Sequence, residues 1–582
     1  MKPLCTTGLA LSLLLLLTGA EAATLEIAIT PKVSGEPLQP ASLRYQTSAG
    51  ESFSITRISY LVSGFALQRS DGSWLEISNA VAWLDPEQSR NSLRLEKIPA
   101  GEFRSVRFSV GLSPERNHAD PAQFPSGHPL NPNLNGLHWS WQGGYIFLAL
   151  EGLWRNSAGE LDGWAYHLAR DTNATRITLA APLALTREMR LDLDFDLAAL
   201  LNAPRPIAFG REGSSTHSRD GDPIAAALVA NLPGAFRVRN VTSLTDAEIA
   251  VAHPKPLYLP AAFTPQPFQM SATFPMPDLP RDNPLTVERV ALGKTLFLDQ
   301  RLSINDRQSC ADCHMPEKGF TDGRRTARGA EGGIGERNTL PLFNLAWKRD
   351  FFWDGRARSL REQVLQPIQD PLEMHQPLTN LIAKLAATAP YPVLFSNAFG
   401  SPDITSEKIS LALETYLLTL TSFDSPFDRV LRGEAHFTAA EQRGFELFST
   451  EYDPRRGQFG ADCFHCHGGP LFQSQNFANN GLEGADRGRE RATGRAADRR
   501  KFAVPSLRNS ALTAPYMHDG RFATLEAAVG HYATGVVRSA TLDPNLAKHP
   551  DGGVPLSAED QRAIVAFLKT LTDPALESSH GP

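Results

Sequence analysis

Cys463-Phe464-His465-Cys466-His467 repeats the spacing of Cys310-Ala311-Asp312-Cys313-His314. In each stretch two thiols stand at positions i and i+3, with an imidazole directly after the second. The chain has 5 cysteines, and these stretches use all of them but Cys5. The spacing suits covalent attachment of a c-type haem: the thiols add to the two vinyl groups, and the adjacent His becomes an axial ligand of the iron. A Cys/His zinc site would need the two pairs to meet in space. Disulfides are open to an exported chain as well. Two complete motifs favour two covalent haems over both.

Working outward, the N-terminus reads as an export signal. Lys2 gives a short positive region, and Leu9 to Leu17 form an apolar run too short to span a bilayer as an ordinary helix. Ala20-Glu21-Ala22 fits a small-x-small cleavage site, so residues 1–22 are expected to be removed. Cys5 precedes the apolar run and does not fit lipoprotein processing. The expected location is the periplasm, with no membrane span after cleavage. Composition adds limits: 582 residues with 44 Gly, 43 Pro and 21% charged residues exclude a disordered, collagenous or coiled-coil chain. A net charge of −6 gives no basic footprint for nucleic acid.

Periodicity divides the chain. From 23 to 241 the signals are for strands: Met189 to Leu197 alternates apolar and charged residues strictly, and Phe103 to Val110 nearly so. An all-β sandwich or barrel-like domain is expected there. Residues 242–275 are Pro-rich and read as a linker. From 276 to 582 helical patterns dominate, at Val287 to Leu298, Ser406 to Leu420, Ala439 to Phe448 and Ala558 to Leu571. Thr438 or Ala439 and Ser557 stand at N-cap positions.

Within the helical part, Leu292-Gly293-Lys294-Thr295-Leu296-Phe297, the first haem motif, Arg337-Asn338-Thr339, Phe352-Trp353-Asp354-Gly355-Arg356, Glu373-Met374 and Ala514-Pro515-Tyr516-Met517-His518-Asp519-Gly520 follow in order. This resembles the bacterial di-haem cytochrome c peroxidase family, which includes MauG and MbnH. The resemblance implies two mostly α, cytochrome c-like lobes with one haem each. It implies that His314 is the proximal ligand of the haem that meets hydrogen peroxide, that Glu373 is the distal acid, and that Gln363 and Pro367 line the distal pocket. Trp353 would relay electrons between the haems, and His467 would be proximal at the second. Asn338, with the carbonyls of Thr513 and Pro515, would hold calcium, for which hard oxygen donors are suited.

The second axial ligand of the His467 haem separates the subfamilies. Conventional peroxidases of the family place a Met fourteen residues after the His that matches His518, and MauG-like members a Tyr; here the count reaches Tyr532. A tyrosinate is a hard anionic donor that lowers the iron potential. His531 and Met517 are the rivals.

The β-rich part resembles MbnP, an exported copper-binding family. The residues are His138-Trp139-Ser140-Trp141-Gln142-Gly143-Gly144-Tyr145-Ile146-Phe147-Leu148-Ala149-Leu150-Glu151-Gly152 and Tyr166-His167-Leu168. In that pair of families, MbnH oxidises a Trp of MbnP to kynurenine. The resemblance therefore implies a chain whose own N-terminal domain is the protein substrate, with Trp139 or Trp141 the residue modified. His138, His167 and His217 are the candidate copper ligands, with His118 and His128 as alternatives; imidazole suits copper. Fusion raises the effective concentration of the substrate domain. The competing expectation is a conventional peroxidase that takes electrons from a small periplasmic donor, with the β-domain a docking or copper-binding module.

Overall fold

The computed structural model describes residues 22–139, 143–185, 188–244 and 258–577. The expected signal segment up to Glu21, and Trp141, lie outside them. Among the described residues no helix is long and apolar enough to cross a membrane.

Two sheets share one core in the N-terminal domain. In the smaller, Ala22–Val33 pairs in parallel with Met189–Asp196 and antiparallel with Ser92–Pro99. In the larger, Thr175–Leu185, Gly101–Val110, Arg57–Arg69, Ile146–Arg155 and Leu161–Ala169 lie side by side. Strict alternation has the expected result: Leu191, Leu193 and Phe195 are fully buried, while Asp194 faces outward to Lys32. The skipped beat in Phe103 to Val110 is a bulge. Arg69 and Gln68 are successive residues, yet they pair with Phe103 and Ser105, leaving Arg104 unpaired in the ladder. The longest helix among the described residues of this half, Pro223–Ala235, was not expected. Asp222 caps it by accepting from Ile224 N and Ala225 N, and Pro223 supplies a pre-set φ at its first turn.

The C-terminal half has two helical lobes with separate cores, one from Phe274 to Leu418 joined by Leu471, and one drawn from residues between Phe427 and Leu571. The expected helices appear as Val287–Leu298, Ser406–Leu418, Ala439–Ser449 and Ala558–Lys569. Thr438 and Glu441 close a reciprocal capping box, and Ser557 accepts from Asp560 N. The described part of the Pro-rich connection packs down on the first lobe. Phe274 is fully buried, and Trp347 donates its indole N–H to Pro275 O at 2.7 Å.

The β-domain sits on the second lobe. Leu43 and Leu153 share an apolar cluster with Val536, Leu542, Leu546 and Ala547. Arg456 reaches Asp222 at 2.8 Å, and Ser215 donates to Glu451 at 2.6 Å. Gly163 is required here. A Cβ at this position would lie 1.8 Å from Pro544 O and 2.7 Å from Lys548 N, so only a bare backbone lets the strand lie against that turn.

Two haem pockets and an interdomain histidine cluster

Both haem motifs form single 3-10 turns, Cys310–Asp312 and Cys463–His465, each followed by the motif's second Cys and its His. All four thiols are unpaired. His314 Nδ1 lies 2.9 Å from Phe320 O, and His467 Nδ1 lies 3.1 Å from Pro505 O. Tying Nδ1–H to a carbonyl fixes the tautomer and leaves Nε2 as the free donor, which is how an iron-ligating imidazole is oriented. Burial holds both rings neutral, His467 down to about 4. The residues present fit two haems.

A cavity of about 590 Å³ opens beside His314. Trp353, Gln363, Pro367 and Glu373 all line it, together with Cys310 and Cys313. Burial pushes the Glu373 carboxyl up to about 7; Asp370 adds to this and Arg356 opposes it. A carboxyl with that pKa takes or gives a proton near neutral pH. Glu373 is held in place by its carbonyl, which accepts from Ala330 N at 2.7 Å. Lys348 was not foreseen: it lines the same cavity, and burial brings its amine down to about 8. Trp353 stands at the seam of the lobes. Its indole N–H donates to Asn338 O at 2.8 Å, and its own carbonyl accepts from Ala503 N of the second lobe. The Asn338 side-chain amide donates to Arg324 O at 2.9 Å, and its backbone N–H donates to His518 O. Thr513 ends the 3-10 turn Ser510–Leu512, and Pro515 follows it.

Around the second motif, Tyr532 lies on the helix Leu525–Thr534. Asn480 Nδ2 donates to Tyr532 Oη at 3.3 Å and to Met517 Sδ at 3.4 Å, so these two candidates converge on one amide. His531 meets the backbone of the same residue, its Nε2 2.9 Å from Asn480 O. Burial pushes the Tyr532 phenol up to about 12, and the Cys466 and Cys463 thiols reinforce the shift.

Of the β-domain candidates, His167 and His217 come together, with His167 Nδ1 3.3 Å from His217 Nε2. Both are buried. Trp139 covers them: its ring centroid is 5.4 Å from His217 and 6.4 Å from His167. His138 does not join them, since neither group of converging ligand atoms among the described residues includes it. Its ring meets that of Tyr145, the residue with which it forms an isolated β-bridge, at 4.7 Å. His118 pairs with Asp171, and His128 stacks on Phe124. The partner that sequence reasoning missed is His465, the variable residue inside the second haem motif. Its ring lies 5.1 Å from His217 and 5.6 Å from His167. Burial alone would raise the Glu151 carboxyl, but Arg57 and His167 outweigh it and hold the group well below the usual range. Burial lowers His167 to about 3.

Residues 287–436 match the di-haem cytochrome c peroxidase family, and residues 22–218 match the MbnP family. The methylamine utilization protein MauG of Methylorubrum extorquens is 39% identical over 297 residues, covering 50% of this chain and 80% of that protein. The cytochrome c551 peroxidase of Nitrosomonas europaea is 35% identical over 312 residues, covering 52% and 85%. The crystal structure of a MauG-like protein associated with microbial copper homeostasis aligns with a TM-score of 0.48 at 34% identity, covering 54% of this chain and 98% of that one. The chain belongs to the di-haem cytochrome c peroxidase and MauG family of oxidoreductases, and it carries an MbnP domain ahead of its haem lobes.

Proposed function

We propose that this chain is a periplasmic di-haem oxidoreductase that uses hydrogen peroxide to oxidise Trp139 of its own MbnP domain to kynurenine, completing a copper site. The observation that carries this is the position of Trp139. It is 8% exposed and packs on His217, whose ring lies 5.1 Å from His465 inside the second haem motif. One imidazole therefore separates the indole from the turn that carries the second haem.

The haems supply the redox chemistry that no side chain can. Glu373 accepts the proton of peroxide at its nearer oxygen and returns it to the leaving oxygen as water departs. Gln363 and Pro367 shape the pocket, and Trp353 links the lobes. With a haem held by Cys463, Cys466 and His467, Tyr532 would serve as an anionic ligand of the second iron, leaving peroxide to react beside His314. Two peroxide molecules add two oxygen atoms to the Trp139 indole and leave as two waters; hydrolysis then releases formate. The mass changes are about +32 Da for the N-formyl product and about +4 Da for kynurenine. The aromatic amine so formed lies beside His167 and His217 as a further nitrogen donor for copper. Calcium at Asn338, with the carbonyls of Thr513 and Pro515, would brace the seam on which Trp353 sits.

Peptide mapping of the haem-loaded protein before and after peroxide tests this. The peptide holding Trp139 should gain one of the two shifts, and unmodified Trp in fully haem-loaded, peroxide-treated protein refutes it. A second reading has its own support. Met517 Sδ shares the Asn480 amide with Tyr532, and a thioether ligand would suit a conventional peroxidase fed by a small protein donor.

A further inference from the structure

Three imidazoles from distant parts of the chain meet between the two domains. His167 lies on the strand Leu161–Ala169, His217 follows the strand Ser215–Thr216, and His465 is in the second haem motif. One ring nitrogen of each lies within 4.8 Å of the others. The 3.3 Å between His167 Nδ1 and His217 Nε2 is close to the roughly 3.5 Å that separates donors around one metal held at about 2.0 Å. The outer nitrogens of both rings face carboxylates. His167 Nε2 is 2.9 Å from Glu151 Oε1, and His217 Nδ1 pairs with Glu451 Oε2.

A neutral imidazole carries one N–H. With its Nε2 proton given to Glu151, His167 turns the lone pair of Nδ1 toward His217 Nε2 across the 3.3 Å gap. A cation placed between the rings would take up that lone pair, and a carboxylate-braced ring is the usual support of a metal-ligating histidine. His465 Nε2 is buried without a hydrogen-bond partner, and Asp462 Oδ1 stands 3.5 Å from it. Glu451, Asp462 and His465 also converge, but Lys548 bridges the two carboxylates at 2.9 and 3.1 Å, so that corner holds its own cation. Arg57 neutralises Glu151 in the same way. The donor set left over is three imidazole nitrogens in a buried place. It favours a monovalent over a divalent ion, because less charge goes uncompensated. Imidazole donors suit copper.

We propose that His465, a residue of the haem lobe, completes a three-imidazole Cu(I) site with His167 and His217, so that both domains hold the metal at once. This rests on the copper reading above and not on oxidation of Trp139. Metal uptake then pins the MbnP domain to the turn that carries the second haem. A cleft of about 670 Å³, lined in part by His217, Glu451, Phe464 and Arg219, gives access from solvent.

The test uses the full chain with both haems attached, titrated with Cu(I) against a chromophoric chelator, with X-ray absorption to count imidazoles. One copper with three imidazoles is expected. His465→Ala should lower affinity by at least the roughly 10–100-fold that loss of an outer-shell partner costs. The imidazole count should fall to two, with the haem content unchanged. A count of two in the unsubstituted protein overturns the proposal without any variant. If His167→Ala and His217→Ala abolish binding while His465→Ala leaves it intact, the shared site fails and the β-domain copper reading stands. If none of the three alters binding, both fail.

Discussion

His314 and His467 are held alike, each with Nδ1 against a backbone carbonyl. Their surroundings differ. Beside His314 lies an open cavity with a carboxyl poised near neutrality, the arrangement a small oxidant needs. Around the second motif, Asn480 donates to both Tyr532 and Met517, and His167 of the β-domain lies against His465 of the motif turn. One attachment sequence thus sits in two different settings. The difference comes from what the rest of the chain packs around each turn, not from the turn itself.

The largest expected effect breaks the first pocket alone. Glu373→Gln keeps the shape of the side chain and removes the titrating oxygen. It should slow the stopped-flow reaction with peroxide by about 10²–10⁴-fold, the usual contribution of a positioned acid–base group, and leave the ferric spectrum in place. An unchanged rate would remove Glu373 from the mechanism.

The second pocket is tested at Tyr532. Tyr532→Met should leave two haems per chain by pyridine haemochrome and raise the potential of the His467 haem. A shift of only ~60 mV changes a one-electron equilibrium tenfold, so Trp139 oxidation should fall by about that factor or more in peptide mapping. The peroxide reaction beside His314 should continue. If Tyr532→Met oxidises Trp139 at the native rate, tyrosinate ligation is not the cause, and Met517 becomes the ligand to substitute next.

A pH profile separates the pockets without mutation. Glu373 sits at about 7, raised by burial. It must be ionised to accept the peroxide proton, so the rate should drop about tenfold per pH unit below that value and level off above it. In Glu373→Gln the same range should be flat. A profile that survives the substitution would assign the titration to another group of the cavity, with Lys348 the first to examine.

The sequence was most informative where structure is local. The haem motifs, the alternation of Met189–Asp196 and the caps at Thr438 and Ser557 depend on neighbours within a few residues. The helix Pro223–Ala235 was missed although Asp222-Pro223 is a start signal, because a segment of mostly small and apolar residues shows no polar stripe for periodicity to detect. The histidine cluster was half legible. His167 and His217 could be named as candidates, but their meeting depends on strand register and on the parallel pairing of Ala165 with Ser215. His465 was in plain view inside the motif. Nothing in its own neighbourhood tells that a β-domain will dock over it, and His138, next to Trp139 in sequence, packs against Tyr145 instead.

The smallest effect concerns the docking that makes the two pockets different. Gly163 lies within the strand Leu161–Ala169, paired with Leu153, and meets the carbonyl of Pro544. Neither side can yield cheaply, because the strand is fixed by its ladder and the turn is fixed by Asp543, which accepts from Asn545 N at 3.0 Å. Gly163→Ala should therefore cost about 1–3 kcal/mol as overpacking, taken up by separation of the β-domain from the second lobe. Peroxide should still react beside His314 at the native rate, while Trp139 oxidation slows several-fold as the indole moves from the second motif. Gly234→Ala is the control: no atom lies within 4 Å of the added methyl group, and both rates should hold. If Gly163→Ala slows the peroxide step as well, the two pockets are not independent. If it leaves Trp139 oxidation untouched, contact of the β-domain with the second haem turn is not what delivers the oxidising equivalents, and transfer between separate chains becomes the route to measure.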